Sequence, residues 1–250
     1  MTEPDVFRGV SNRKSRVRMW WCIVMLVTGV AAVGSVLFIG YGRSQGQRIQ
    51  CVAHLFQLGY GMRVFQDKYG HLPPAHVDGS DGRRMHSWRI LVTEHVTLPA
   101  PYPYDFNEAW DSEKNTVLGD YRPGRYACPS DSATQKNQRL TNYFVVTGSD
   151  TPFPGSKTTN LPVFIGPKGS SNTILVVEAS DLNIEWLEPR DLVLHEMSLV
   201  PDDPKRPSIS SHHPDGPLVM MADGSIRSIK GIAPEVLRAM LQHHADGNDD

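Results

Sequence analysis

The chain starts with a basic segment and a long uncharged stretch, and the mixed polar and apolar pattern of a globular protein comes only later. Residues 19–41 hold no charged side chain over 23 positions. About 20 consecutive apolar residues are enough for a helix to cross the hydrocarbon core of a bilayer. The pattern therefore predicts a transmembrane helix at 19–41, preceded by a basic segment at 1–18.

The charges on either side of this stretch predict its orientation. Four basic residues lie within 13–18, and only Arg43 and Arg48 follow at a comparable distance. Because basic residues are retained on the cytoplasmic side, we expect segment 1–18 in the cytoplasm and the chain after residue 41 across the membrane. The expected location is the inner (cytoplasmic) membrane, with a periplasmic or other extracytoplasmic head. The alternative is a cleaved signal peptide, but its apolar region would be shorter, at about 7–15 residues.

A second pattern follows the uncharged stretch, with apolar residues at steps of three and four over residues 49–65. Such steps are typical of a helix with one broad apolar stripe. Gly70 is a natural C-terminal cap, and Pro73 and Pro74 cannot continue a helix. The pattern allows one helix that continues from the membrane, or a separate helix that begins near Ser44.

From residue 75 onward, short apolar runs alternate with turns rich in Gly, Pro, Asn and Asp. The runs YFVVTG, PVFIG, TILVVEAS and PLVMMADGSIRSI are typical of short antiparallel strands. Two helices are predicted at Ser87–Val96 and Pro234–His244. The predicted fold class is α+β, with a long N-terminal helix (anchor and spine) packed on a small antiparallel sheet. The head would cover 42–245, and 246–250 would form an acidic tail.

The last of these runs contains Asp223 and Gly224 between two apolar segments. An Asp-Gly pair is a strong signal for a two-residue type I′ turn, in which both residues have positive φ. This turn would place Met221 opposite Ile226 and put Asp223 at the hairpin tip. His213 precedes the first strand, so it would lie at the opposite end, too far from Asp223 to share a proton or a metal ion.

Composition and motifs limit the classes of function. The formal net charge is −2 with 21% charged residues, so the chain does not have the composition of a nucleic-acid-binding protein. The motifs G-x-S-x-G, H-E-x-x-H and C-x-x-C, which mark hydrolases, zinc peptidases and redox proteins, are absent from the sequence. We therefore predict no catalytic residue, no bound metal and no cofactor.

The adjacent His212 and His213 are the residues that most suggest chemistry. With Asp215 or Asp223 they could bind a divalent metal or act as acid and base. A metal site needs three or four ligands, and the sequence offers no obvious third. The favoured interpretation is that His213 packs or hydrogen-bonds at the base of the hairpin. A metal-dependent hydrolase that uses His213 and Asp223 is the rival.

The chain has three cysteines. Cys22 falls within the predicted membrane helix, which leaves Cys51 and Cys128 in the exported head. An even pair in an oxidising compartment predicts a disulfide between them. The alternative is that the two are buried separately.

Four aromatic residues occur close together in the chain: Tyr102, Tyr104, Phe106 and Trp110. Aromatic side chains of this density form a candidate contact surface for a protein or a ligand. The alternative is that they cover the sheet.

Several motifs together resemble one protein family. Five stretches occur in the order typical of that family: CVAHLFQLGYGMRVFQDKYGHLPPA, SWRILV, YDFNEAWDSEKN, YACPSD and SSNTILVVEASDLNIEWLEPRDL. Asp223 and Gly224 also follow His213 at the spacing of the family's C-terminal signature. It is the large, mostly planctomycete family of unknown function with prepilin-like N-termini, also labelled a bacterial solute-binding group. The resemblance spans Cys51 to about Ile229. It implies a pseudopilin-like fold and no established reaction.

One feature departs from this family. Prepilins have a Gly before the apolar segment, followed by Phe or Met and by a Glu five residues in. Here Gly9 is followed by VSNRKSRVRM, and no acidic residue lies within 19–41. The prepilin peptidase site is missing, which favours a fixed membrane anchor over assembly into filaments.

The resulting prediction is a membrane-anchored, non-enzymatic, pseudopilin-like envelope protein. It would contact the lipid bilayer through 19–41, and other envelope proteins or further copies of itself through the head. The alternative is a membrane-tethered solute- or ligand-binding module, with its pocket among the loops Asp78–Gly82 and Pro99–Trp110.

Overall fold

The structure, a computed structural model, describes residues 8–93, 103–160 and 171–242. The chain forms two compact units, Met1–Gly46 and Gln47–Asp250. The described residues form a long N-terminal helix, shorter helices and a small antiparallel sheet, so the predicted α+β class is confirmed. The predicted strand PVFIG, the acidic tail 246–250 and Tyr102 lie outside the described residues.

A single helix, α1 (Arg8–Tyr69), contains both N-terminal patterns. The structure therefore has one helix where the sequence also allowed a second one beginning near Ser44. Every residue from 17 to 43 is exposed. Within the described chain, α1 is the one helix long and apolar enough to cross a membrane, with a mean hydropathy of 2.6 in its most apolar window. Its length and composition are those of a membrane anchor or of a signal sequence.

In the second unit, α1 buries one face in the head. Four side chains at steps of four, three and four residues are fully buried: Cys51, Leu55, Leu58 and Met62. Such steps place side chains on one face of a helix. The helix ends at Tyr69, and the next residue, Gly70, has φ +82° and donates its N–H to the carbonyl of Gln66 at 2.7 Å. Glycine adopts positive φ freely, so the predicted C-terminal cap is confirmed.

The elements that follow α1 in the described chain are β1 (His76–Asp78), β2 (Arg84–Ser87), α2 (Trp88–Thr93), α3 (Glu113–Thr116), two 3-10 helices (Val117–Tyr121 and Gly124–Tyr126), α4 (Ser132–Lys136), β3 (Tyr143–Phe144), β4 (Val146–Thr147), β5 (Ile174–Glu178), β6 (Leu192–Val193), β7 (Leu218–Met221), β8 (Ile226–Ser228) and α5 (Pro234–Leu241). Two of them, α2 and α5, correspond to the helices predicted from the sequence.

The central sheet is antiparallel, with the strand order β3-β5-β7-β8. Its strands come from three of the apolar runs that the sequence marks as strands. Two smaller pairs accompany it: β1 and β2 form an antiparallel hairpin, and β4 pairs with β6 in parallel. The sequence did not predict β1, β2 or β6, because strands of three, four and two residues are too short to show a period.

Both faces of the central sheet are covered. Successive residues of a strand point to opposite faces. In β7, Leu218 and Met220 therefore pack in one apolar cluster with α1, whereas Val219 and Met221 pack in a second cluster with α5. Burial on both faces explains why β5 and β7 are buried at every position, and why their sequences are continuously apolar instead of alternating.

The helix α1 approaches β7 closely at Gly59. A β-carbon at this position would collide with the sulfur of Met220. Glycine in a helix interior costs about 1 kcal/mol relative to alanine. Here the absent side chain provides the space that Met220 occupies between helix and sheet.

The hairpin between β7 and β8 differs from the predicted one. Met220, rather than Met221, faces Ile226, and the N–H of Gly224 donates to the carbonyl of Met221 at 2.9 Å. The loop therefore has three residues, 222–224, and ends in a glycine at φ +80°. The predicted two-residue type I′ turn is wrong, although three-residue loops of this form are also common in hairpins.

The side chain of Asp223 explains the longer loop. Its Oδ1 accepts hydrogen bonds from the N–H and the hydroxyl of Ser225 at 2.9 and 2.6 Å. Asp223 does not have positive φ, whereas Gly224 does. The carboxylate thus satisfies a backbone donor two residues on, a local bond that competes with the tighter turn.

Candidate functional site: a buried cysteine, glutamate and histidine cluster

Four residues that are distant in the sequence meet inside the head: Cys51, Cys128, Glu178 and His213. Cys51 projects from α1, and Cys128 follows the second 3-10 helix. Glu178 is the last residue of β5, and His213 lies in the loop before β7. One ligand-type atom from each lies within 4.8 Å of the others. We call these four residues the cysteine–histidine cluster.

The atom Nε2 of His213 faces the other three side chains. It lies 3.2 Å from the sulfur of Cys51 and 3.4 Å from that of Cys128. Its distance to Oε1 of Glu178 is 3.9 Å, and the two sulfurs are 3.1 Å apart. All four side chains are shielded from solvent. The hydroxyl of Ser130 also lies 3.3 Å from Nε2 and 2.9 Å from the sulfur of Cys128. One ring nitrogen therefore faces two sulfurs, a hydroxyl and a carboxylate oxygen in the protein interior.

The sheet holds the carboxylate of Glu178 in place. Its Oε2 accepts a hydrogen bond from the N–H of Leu218 at 3.1 Å. Its Oε1, which faces the cluster, has no hydrogen-bond partner among the described residues, and the same holds for Nδ1 of His213. Buried polar atoms are nearly always hydrogen-bonded, so two such atoms in one place mark the cluster as a site that needs an explanation.

The pKa values of the cluster are shifted in a common direction. Burial raises the pKa of Glu178 well above its ordinary value, and the neighbouring Cys128 adds to the effect. The adjacent thiol of Cys51, followed by burial, raises the pKa of Cys128 to about 12. The contact with Cys128 raises the pKa of His213, against the effect of burial. Cys128 is therefore a neutral thiol at neutral pH, and the shift of Glu178 favours its protonated form.

A further polar group, the hydroxyl of Tyr143, lies beside the cluster. It is buried and has no hydrogen-bond partner within the described ranges. Burial raises the pKa of Tyr143, and the charges of Cys51 and Glu178 raise it further. Tyr143 therefore stays a neutral phenol that can donate a hydrogen bond to a sulfur or a carboxylate.

The two head cysteines are adjacent, but both are free in the structure. The sulfurs of Cys51 and Cys128 are 3.1 Å apart, whereas a disulfide bond is about 2.05 Å long. The predicted disulfide is therefore not confirmed, and the observed contact is noncovalent. Both cysteines are free and buried, as in the alternative, but their thiols are in contact.

His213 and Asp223, the two ends of the C-terminal signature, lie in different parts of the structure. His213 precedes β7 and belongs to the cluster, whereas Asp223 follows β7 and bonds with Ser225. Within the part of the chain that the structure describes, no hydrogen bond or ion pair joins His213 to Asp223. The two do not form the acid–base or metal pair of the rival interpretation.

The two other residues that the sequence placed with His213 have different partners. The ring of His212 is exposed, and its Nε2 lies 3.4 Å from Asp181. The carboxylate of Asp215 lies 3.8 Å from the guanidinium of Arg48. Neither belongs to the cysteine–histidine cluster.

The cluster does not have the geometry of a catalytic cysteine–histidine–acid triad. In a triad the nucleophile contacts one ring nitrogen of the histidine and the acid contacts the other. Here the sulfurs and the carboxylate of Glu178 all face Nε2 of His213, and both cysteines are 0% exposed. The arrangement offers instead a convergent set of donor atoms: two sulfurs, one nitrogen and one oxygen.

Glu178 is the cluster member that no sequence motif indicates. It ends the run TILVVE, and all five residues of β5 are buried. Burying a carboxylate in a continuously apolar strand costs free energy unless the carboxylate is paired. A glutamate at this position therefore indicates a buried partner. The cysteines lie far from His213 in the sequence, so no local spacing indicates that they are its neighbours.

The predicted aromatic contact surface is largely packed against the head. His86 in β2 contacts the hydroxyl of Tyr104 at 2.8 Å and the carbonyl of Phe106 at 3.1 Å. Trp110 packs against the apolar core, whereas Phe106 is 51% exposed. These three aromatics therefore mainly cover the β1–β2 hairpin.

Clefts occur in two loop regions of the head. A cleft of about 510 Å³ is lined by 103–105, Lys114 and Val117, within one of the loops where the sequence placed a solute pocket. A larger one of about 610 Å³ is lined mainly by 180–182, 202–208 and 210–212. Asp181 and Asp202 of the larger cleft have φ of 62° and 57°, which is uncommon outside glycine. The larger cleft lies outside the two loops in which the sequence placed a solute pocket.

Comparison with known proteins identifies one family. Residues 42–164 match the model of a family described as a protein of unknown function (DUF1559), whose short label denotes a bacterial solute-binding protein. No match is found among curated proteins or among solved structures. The matched segment contains Cys51 and Cys128 and ends before Glu178 and His213. Over residues 42–164, the chain is therefore similar to the DUF1559 family of unknown function.

Proposed function

We propose that the chain is a single-pass envelope protein, anchored in the inner membrane by 19–41, whose exported head acts through protein contacts rather than by catalysis. The observation that carries the proposal is the change of surface along α1. Residues 17–43 are exposed and predominantly apolar, whereas residues 51–62 of the same helix bury one face in the head. An apolar helical surface of this length is stable in lipid. The long helix on a small antiparallel sheet also supports the pseudopilin-like likeness.

A row of apolar side chains on α1 remains uncovered within the second unit. Ile49, Val52, Phe56 and Tyr60 are 69%, 38%, 47% and 50% exposed. Steps of three and four residues place them side by side on the helix. We call this row the α1 stripe. Contiguous exposed apolar surface of this kind is a mark of protein contact.

The partner that fits the α1 stripe best is a second copy of the chain. Each copy carries the stripe at the same number of residues beyond its apolar segment. Copies anchored in one membrane in the same orientation therefore present the same apolar row to each other. Such a contact between identical surfaces is the commonest arrangement in homodimers.

Photo-crosslinking in native membranes tests this contact. A photoreactive amino acid in place of Phe56 is expected to give a covalent product at twice the 27.9 kDa mass of the chain, because the stripe would be buried against its counterpart. The matched control is position Val236 on α5, which is 48% exposed and lies outside the stripe.

A dimer from position 56 but not from position 236 supports the proposal. Equal yields from both positions, or none from either, contradict a contact through the stripe. A product with a different envelope protein at position 56 alone rules out the second copy as the partner.

A further inference from the structure

The donor atoms of the cysteine–histidine cluster are chemically matched to a metal ion. Thiolate sulfur and imidazole nitrogen are the ligands that zinc prefers in proteins, and carboxylate oxygen is the third ligand type it accepts. The cluster supplies two sulfurs from Cys51 and Cys128, one nitrogen from His213 and one oxygen from Glu178. Four ligands complete a tetrahedral coordination shell. We propose that the cluster binds one zinc-like divalent metal ion, and that the metal fastens the head.

The distances within the cluster fit this ion. Zinc–sulfur bonds of about 2.3 Å and zinc–nitrogen or zinc–oxygen bonds of about 2.0 Å place tetrahedral ligand atoms about 3.3–3.8 Å apart. The observed separations are 3.1 Å between the sulfurs, 3.2 and 3.4 Å from each sulfur to Nε2, and 3.9 Å from Nε2 to Oε1. Shifts of about half an ångström would therefore seat the ion between the four atoms.

The unpaired atoms of the cluster also point to a ligand. Glu178 is 0% exposed, its Oε1 faces the sulfurs and Nε2, and this oxygen has no hydrogen-bond partner in the described chain. A buried carboxylate oxygen without a partner is strongly unfavourable. Its other oxygen is already fixed by the N–H of Leu218, so the free oxygen is held in position for a cation.

The burial of the cluster favours a structural over a catalytic role. Catalytic zinc keeps one coordination position open for water or substrate, whereas structural zinc takes four protein ligands. Here four protein ligands are present and the cysteines are fully buried. The ligands come from α1, a loop, β5 and another loop, so the metal would join four segments of the head.

Binding of the metal would release protons. Zinc coordinates thiolates and an unprotonated ring nitrogen, so the thiols of Cys51 and Cys128 and the carboxyl of Glu178 would each give up a proton to solvent as the ion enters. No electron is transferred, and no bond other than the coordination bonds forms. Affinity would therefore fall as the pH is lowered.

The test uses the full chain, purified in detergent from native membranes without added metal or chelator. Elemental analysis by mass spectrometry is expected to find about one zinc ion per chain. Cys128→Ser and His213→Gln are expected to lower the zinc content at least tenfold. The matched controls are Cys22→Ser and His195→Gln, which change the same residue types outside the cluster and are expected to keep the wild-type content. His195 is 78% exposed.

A second measurement does not depend on whether the variants fold. Wild-type protein, stripped with a chelator and reloaded with Co²⁺, is expected to show the intense visible absorption of tetrahedral cobalt–thiolate coordination. Absence of that absorption together with absence of zinc overturns the proposal. Equal zinc in Cys128→Ser and wild type also overturns it, as does a Cys51–Cys128 disulfide in the protein from native membranes. None of these outcomes bears on the membrane anchor.

Discussion

Replacing Arg89 by Leu is expected to lower the free energy of unfolding of the head by about 3–5 kcal/mol. The Arg89 side chain is 0% exposed, and its guanidinium pairs with Asp191 at 2.6 Å. It also donates to the carbonyl of Tyr143 at 3.0 Å and to the hydroxyl of Ser87 at 2.9 Å. Removing it leaves the carboxylate of Asp191, which is 2% exposed, without its positive partner in a water-poor interior.

The control for this prediction is Arg190→Leu, one position along the chain from Asp191. Arg190 also pairs with a carboxylate, Glu188 at 2.6 Å, but its side chain is 53% exposed. Exposed pairs contribute about 0–1 kcal/mol, so little loss is expected. Denaturant titration of the full chain in detergent, followed by tryptophan fluorescence, measures both. Similar losses for the two variants would contradict the account of the buried pair.

The pH dependence of the Arg89→Leu loss gives a second criterion. Burial raises the pKa of Asp191 to about 6, and Arg89 is the strongest opposing influence. Without Arg89 the pKa of Asp191 rises further, so the folded variant binds a proton more tightly than its unfolded chain. The contribution of such a group to the free energy of unfolding is lost as the pH rises through its pKa in the folded state. The loss caused by Arg89→Leu is therefore expected to be smaller at pH 5 than at pH 8.

Replacing Leu58 by Asp is expected to destabilise the head by about 4 kcal/mol or more. Leu58 is 0% exposed and lies in the apolar cluster between α1 and the sheet. The substitution removes a buried leucine and places a carboxylate among the apolar side chains of that cluster. The measurement is the same denaturant titration.

Phe56→Asp is the matched control on the other face of α1. Phe56 is 47% exposed, and we expect the unfolding free energy to change by less than about 1 kcal/mol. The same change should abolish crosslinking from a probe placed at Val52, because it puts a charge into the α1 stripe. A loss of stability as large as that of Leu58→Asp would contradict the assignment of the two faces.

The sequence predicts those parts of the fold in which one local pattern is long enough to dominate. The helix over 49–65, its cap at Gly70 and the strands β5 and β7 all follow from periodicity or from continuous apolar runs. The hairpin loop shows the limit of such prediction. The Asp-Gly pair indicated the position of the turn and its glycine correctly, but not the number of residues in the loop. The hydrogen bonds between Asp223 and Ser225 select the longer loop, and they depend on side-chain geometry that a residue pair does not reveal.

The cysteine–histidine cluster could be predicted only in part. Cys51, Cys128 and His213 each stood out in the sequence, but nothing local joins residues that lie 77 and 85 positions apart. Their meeting depends on how α1 packs against β7 and the loop before it, which is a tertiary property. The role of Glu178 could not be predicted because a strand is identified by its apolar residues. A single polar residue at the end of a strand does not indicate whether its side chain is buried.

The central claim is that the head is exported beyond an inner-membrane anchor. The most direct test is whether a single cysteine added to the head reacts with a reagent that cannot cross the inner membrane. Ser80 is exposed in the turn between β1 and β2, so Ser80→Cys presents a reactive group on the head. The wild type is the control, because Cys51 and Cys128 are fully buried and Cys22 lies in the apolar segment. With the outer layer permeabilised and the inner membrane intact, an impermeant thiol reagent is expected to label Ser80→Cys but not the wild type. Labelling of Ser80→Cys only after lysis of the inner membrane would contradict the account.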